Sequence, residues 1–353
     1  MRRLSCQRCG QRVFFENTQC DACQAALGFV PAELAMGAFE VGKEEEEEEA
    51  GGTWQRLGVA GPAQRPCSNY TAEHVCNWMV PADSDAQLCL CCSSTEIIPA
   101  LNEPENRSRW AALEQAKRRL FYGLLALGLP TQMSFRFLAD GAQEKVMTGH
   151  DKGVITLNIA EADDAQREQM RTSMHEPYRT LLGHFRHEVG HYYWDRLIAE
   201  SRWIDEFRRL FGDEREDYAQ ALQRHYEAPV ADWPASFISA YASSHPWEDW
   251  AECWAHYMHL HDGLETASAW GLRLAHATPG SSVIEPRPLD AAQPLQSALI
   301  EQWLPVSQFI NAMDRSLGTH DSYPFTVPPP VVEKLQFIHQ LIAAEHGAEQ
   351  GAP

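Results

Sequence analysis

Positive charge is scarce in this chain. Its 353 residues carry 29 Lys and Arg against 49 Asp and Glu, a formal net charge of -20. Nucleic-acid affinity comes mainly from cations that neutralise phosphates. A grip on nucleic acid along the whole surface is therefore not expected, and an anionic membrane should repel the chain. Long apolar runs are missing as well. Met1-Arg2-Arg3-Leu4-Ser5-Cys6 leads into no apolar segment, so no secretory signal is expected, and no stretch is long enough to span a bilayer. The expectation is a cytoplasmic protein without a membrane partner. Cysteine is nearly missing from the later part: nine of the ten cysteines precede residue 93. In a reducing compartment, clustered cysteines favour metal sites over disulfides.

The organisation follows from that skew. Residues 1–34 read as a cysteine module of zinc-ribbon type. Residues 35–65 read as an acidic linker or loop, because they hold the Glu44–Glu49 run and several glycines with little periodicity. Residues 66–100 read as a second cysteine-rich module, and 101–345 as the main domain. Within that domain helices are expected at Glu105–Leu127, Pro177–Glu200, 202–227, 246–261, 292–317 and 329–345. Strands are expected at Ser134–Ala139 and Gly153–Ala160. The fold class is therefore α+β: β modules first, then a mostly helical domain with a small sheet.

Cys6, Cys9, Cys20 and Cys23 form two C-x2-C pairs. Four thiolates in two such pairs suit tetrahedral zinc, each pair clasping the ion from a tight turn. Gly10 follows the first pair, where a turn often needs positive φ. Cys67, Cys76, Cys89 and Cys92 make a looser second set, with His74 able to replace one of them. Such modules are too small to fold on core burial alone, so the metal would supply folding energy. Cys91 and Cys253 read as small apolar packing residues. Arg2, Arg3, Arg8 and Arg12 are offset by Glu16 and Asp21. The first module therefore suits a protein partner better than nucleic acid.

His187-Glu188-Val189-Gly190-His191 lies in a segment with apolar residues at helical spacing, from Tyr178 to Leu197. Residues i and i+4 share a helix face, so His187 and His191 can share one ion, and Glu188 beside them can reach a water on it. Two exposed histidines on a surface helix are the bland alternative. Burial of the segment argues against that alternative, since buried imidazoles need partners. His184, one turn earlier, is a competing ligand. Gly183 and Gly190 each cost about 1 kcal/mol in a helix and imply close approach by another element. A third ligand is expected from Pro246-Trp247-Glu248-Asp249-Trp250-Ala251-Glu252. One of Glu248 and Glu252 can bind the ion while the other steadies a ligand histidine; Asp249 is the runner-up. Trp247, Ala251, Trp254 and Met258 form the packing stripe. His256, His259 and His261 read as surface or satisfied core residues.

These residues resemble the gluzincin metallopeptidases, whose pattern is H-E-x-x-H followed by E-x-x-x-(D/E). The resemblance implies His187, His191 and Glu248 as zinc ligands, Glu188 as general base and Glu252 as the carboxylate behind a ligand. The segment Glu248–Glu252 also resembles the helix of the anthrax lethal-factor type. There a tyrosine seven residues before the glutamate assists catalysis, which implies that role for Tyr241. The cysteine clusters, Cys67-Ser68-Asn69-Tyr70, Gly149-His150 and Glu176–Glu188 are similar to a bacterial family of zinc-binding metallopeptidases with an N-terminal zinc-ribbon region. The resemblance implies a zincin-like domain, one catalytic and two structural zinc ions, and a peptide or protein substrate. A catalytically silent zinc scaffold is the alternative, and a nucleic-acid-binding zinc-ribbon protein the more remote one.

Overall fold

The structure, a computed structural model, describes residues 2–41, 52–59, 61–141, 145–173, 176, 178–275 and 282–350. The Glu44–Glu49 run, Pro177 and the last three residues lie outside them. The chain divides into two compact units. One comprises Arg3–Gly149 and Val154–Arg167; the other comprises Met1–Arg2, His150–Gly153 and Glu168–Pro353.

In the first unit, β1 (Leu4–Ser5) and β2 (Arg12–Val13) pair antiparallel around the turn that carries Cys6 and Cys9. Gly10 closes that turn at φ +75°, its N–H bonded to the Cys6 carbonyl at 2.8 Å. The second pair repeats the turn with Gln24 at φ +60°, its N–H on the Cys20 carbonyl at 2.8 Å. A five-stranded antiparallel sheet follows: β3 (Ala26–Val30), β4 (Ala35–Val41), β5 (Trp54–Arg56), β6 (Gln64–Pro66) and β7 (Met79–Pro81), in that order.

This sheet corrects the reading of 35–65 as a linker. Three of its strands fall within or across that stretch. Met36, Gly37, Ala38 and Phe39 are all buried, so the alternation that marks a half-exposed strand is absent. Val30, Phe39 and Met79 form the core there, with Trp54 and Tyr70 against it. Strands after the first cysteine set and beside the second thus share one sheet, and the two cysteine stretches are not separate modules.

A second sheet holds β8 (Thr95–Ile97), β9 (Ser134–Leu138), β10 (Gly149–Asp151) and β11 (Val154–Asn158), in the order β10-β11-β9-β8. β9 and β11 pair in parallel, Phe135 beside Ile155 and Phe137 beside Leu157, all four buried. Helix α1 (Asn106–Ala126) buries Leu113, Leu120, Phe121 and Leu124. Each such side chain stabilises by roughly 1.5–3 kcal/mol. The fold class is α+β, as expected.

Beyond α2 (Asp164–Ser173), the second unit is helical: α3 (Leu181–Leu197), α4 (Ile204–Phe211), α5 (Tyr218–Glu227), α6 (Pro246–Ala269), α7 (Leu304–Ser316) and α8 (Pro329–Gln350). The expected helix over 202–227 is two helices. Gly212, at φ +107°, ends α4, and the Asp217 side chain caps α5 by accepting from the Gln220 N–H. α3 begins at Leu181, capped by Thr180. The expected 292–317 helix is broken by a wide turn at Leu299–Trp303. Pro305 explains the break, because it has no N–H to close the ordinary turn. No helix among the described residues is long and apolar enough to cross a membrane.

Candidate metal centre

Helices α3 and α6 meet at Gly190. A Cβ on Gly190 would lie 2.9 Å from the Ala251 Cα, so only glycine lets the backbones come this close. The Trp250 Nε1–H donates to the Gly190 carbonyl at 2.8 Å, and Trp254 stacks on Tyr193 with centroids 4.6 Å apart. Gly183 has a different reason. Its neighbours are its own cap Thr180 and Tyr178, not another helix.

That approach brings three donor atoms together. His187 Nε2 is 3.0 Å from Glu248 Oε2 and 3.2 Å from His191 Nε2, and His191 Nε2 is 3.6 Å from Glu248 Oε2. A zinc tetrahedron with N and O ligands has edges of about 3.3 Å, from bonds of about 2.0–2.1 Å. The protons point the same way. His187 Nδ1 is 2.8 Å from Glu252 Oε1, and Glu252 Oε2 accepts from the Ser239 hydroxyl at 2.7 Å. If Nδ1 keeps its proton for Glu252, Nε2 turns a lone pair towards a carboxylate oxygen, an arrangement that needs a cation between them. These donors fit a zinc ion.

Burial opposes charge on His187, but its bonds to Glu248 and Glu252 outweigh burial and hold the imidazolium well above its usual range. Burial likewise opposes charge on Glu248, and the nearby histidines overcome it, keeping the carboxyl well below the usual range. Glu188 lies on the same turn of α3, 9% exposed. Tyr241 opens the short turn Tyr241–Ser244, its ring 5.9 Å from that of His187.

The competing candidates fall away on geometry. Asp249 is not part of the donor group and pairs with Lys334 at 2.6 Å, both buried. His184 is not part of the donor group. His256 bonds the Tyr323 hydroxyl at 2.9 Å, His259 meets Arg186, and His261 meets Asp262 at 3.0 Å, so all three have partners, His256 and His261 within the core. Trp247 is more than packing stripe, since it lies against His191 with centroids 4.3 Å apart. Three residues at the centre were not singled out from sequence. Ser239 steadies Glu252, Lys334 neutralises Asp249, and the Tyr218 hydroxyl donates to Glu248 Oε1 at 2.7 Å. Only Ser239, two residues before Tyr241, stood near a motif.

The cysteines also converge. Cys6 and Cys23 sulfurs are 3.7 Å apart, Cys9 and Cys20 3.6 Å, and Cys76 and Cys89 3.8 Å. A disulfide needs about 2.05 Å, whereas zinc–sulfur bonds of about 2.3 Å give tetrahedral edges of about 3.8 Å. Cys67, Cys76, Cys89 and Cys92 close the second set without His74, which is exposed in a left-handed turn. Cys91 and Cys253 are fully buried outside the donor groups.

Four sulfurs twice over, and two imidazoles with a carboxylate, define a zinc-binding protein. The family described as "Putative zinc-binding metallo-peptidase" matches residues 106–341, and a zinc-ribbon domain matches 3–103. The chain belongs to this metallopeptidase family. It is 42% identical over 354 residues to an uncharacterized protein of Mycobacterium bovis, covering 97% of this chain and 95% of that one. Uncharacterized proteins of Mycobacterium tuberculosis strains CDC 1551 and H37Rv match to the same extent. No solved structure matches.

Proposed function

We propose that this protein is a zinc-dependent peptidase, with one zinc ion held by His187, His191 and Glu248 and one in each cysteine cluster. The observation that carries the reading is the convergence of those three donors at tetrahedral spacing beside Glu188. Four sulfurs complete a structural zinc site, whereas three protein ligands leave a position for chemistry. The ion would supply Lewis acidity, making water more acidic and polarising the scissile carbonyl.

The remaining work belongs to the chain. Glu188 takes a proton from the attacking water and returns it to the leaving amine. The Tyr241 hydroxyl donates a hydrogen bond to the developing oxyanion. Glu252 holds the His187 tautomer that offers Nε2 to the ion. The substrate class is a peptide or protein, and the zinc-ribbon region is the surface for a protein partner.

Glu188→Gln tests the reading. It keeps the shape and removes the base, so zinc content should be unchanged while peptide hydrolysis drops by about 10²–10⁴-fold. Hydrolysis at the wild-type rate, in a preparation free of other peptidases, would remove Glu188 from the mechanism.

A further inference from the structure

Glu248 is 1% exposed, and its two oxygens do different things. Oε2 faces His187 and His191. Oε1 accepts the Tyr218 hydroxyl at 2.7 Å. Tyr218 opens α5, and its position is tied to the start of the helix that carries Glu248. His245 Nε2 meets the Glu216 carbonyl at 3.2 Å, while His245 Nδ1 accepts from the Trp247 N–H at 3.0 Å and so caps α6. The Tyr218 ring packs edge-on against His245 and Trp247, with centroids 5.3 and 6.2 Å apart. Two helix starts thus lock one phenol onto one carboxylate oxygen.

We propose that Tyr218 is a positioning residue that restricts Glu248 to ligation through Oε2 alone. This rests on the zinc reading above. A carboxylate can offer a metal one oxygen or two. A hydrogen bond to Oε1 engages its lone pair and holds the carboxylate plane, so the second oxygen cannot swing onto the ion. Without the phenol, Oε1 is a buried charged acceptor with no donor, and its nearest compensation is the ion itself. Glu248 would then take two positions, including the one that water and substrate require. Tyr218 and Tyr241 therefore divide the work. The Tyr218 proton is committed to Glu248, and Tyr241, whose hydroxyl is a hydrogen-bond neighbour of Tyr218, is the phenol that turns to the oxyanion.

The test compares the full-length protein with Tyr218→Phe, each carrying Co²⁺ at the histidine–glutamate centre and zinc in the cysteine clusters. Tyr218 is 39% exposed and the change deletes one oxygen, so the fold should hold, as circular dichroism would show. The variant should show a weaker, shifted visible Co²⁺ band, the sign of a higher coordination number. Chelator competition should show about a ten- to hundredfold change in metal affinity. A spectrum and affinity equal to wild type would overturn the role of Tyr218 while leaving the zinc site standing. A wild-type chain that takes up no metal beyond the cysteine clusters would overturn the zinc reading, and this inference with it.

Discussion

The two cysteine clusters each bring four sulfurs together, in different surroundings. In the first, Cys6 and Cys20 are buried but Cys9 is exposed and Cys23 half-buried, and the turn that carries Cys6 and Cys9 lies between two-residue strands. In the second, all four cysteines are buried. Backbone N–H groups of Trp78, Cys89 and Cys92 donate to the sulfurs of Cys76, Cys67 and Cys89 at 3.3, 3.3 and 3.4 Å. α1 adds positive charge behind this set. Arg118 bonds the Val75 carbonyl, and Lys117 pairs with Glu114 at 3.1 Å with neither exposed. Zinc with four thiolates carries a formal charge of about −2, so a buried set needs nearby donors and cations. The comparison teaches that the first cluster is a clasp open to solvent on one side, at Cys9 and Cys23, whereas the second is closed within a core.

Removing one sulfur from each cluster should break that comparison first and most visibly. Cys89→Ala leaves three thiols in a buried cavity with no ion to bind. Loss of the metal's folding energy, on the order of 10 kcal/mol, should unfold the unit that contains it. Cys9→Ala should release only the first ion and leave the second cluster's zinc and the thermal transition in place. Zinc analysis and calorimetry would check both; equal losses in the two variants would show that the clusters form one cooperative unit. The histidine–glutamate centre sharpens the contrast from the other side. A His187→Ala, His191→Ala double variant should lower zinc from three ions per chain to two and abolish hydrolysis, with both cysteine ions retained. A wild-type count of two, unchanged in the variant, would contradict the assignment.

Much of the convergence of the donor residues was legible because their geometry is local. Two histidines four apart must share a helix face, and C-x2-C must fold as a tight turn. Gly190 announced a close approach because a helix interior tolerates glycine at a cost. The sheet across 35–65 was hidden by burial on both faces of β4, which removes alternation, by the shortness of β5 and β6, and by the acidic run beside them. Gln24 gave no sign of its left-handed turn, since it repeats a conformation that glycine adopts at Gly10. Tyr218 was hidden for another reason. It lies 30 residues from Glu248 in sequence, and nothing local marks a hydrogen bond made only when two helix starts meet. Asp249 and Glu248 are neighbours of the same charge, and only the partner across the core, Lys334, shows which one faces away from the two histidines.

The smallest expected effect separates the histidine–glutamate centre from the cysteine clusters by pH. In the metal-free folded chain, His187 holds a proton above its usual range because Glu248 and Glu252 flank it. A folded pKa raised above the unfolded value adds stability below the unfolded pKa, near 6.5. That stability is lost as pH rises through the folded pKa. Zinc needs the same Nε2 lone pair, so binding must expel the proton. Apparent zinc affinity at this centre should therefore fall about tenfold per pH unit on acidification, from the folded pKa of His187 downwards, with one proton released per ion from this residue. Zinc titration calorimetry in buffers of different ionisation enthalpy, with the cysteine clusters already filled, would count that proton. Glu252→Gln weakens the charge that holds it, so the variant should release less proton at neutral pH while binding zinc more weakly. Proton release identical in the two proteins would show that Glu252 does not set the charge of His187, and would leave Glu248 alone to account for it.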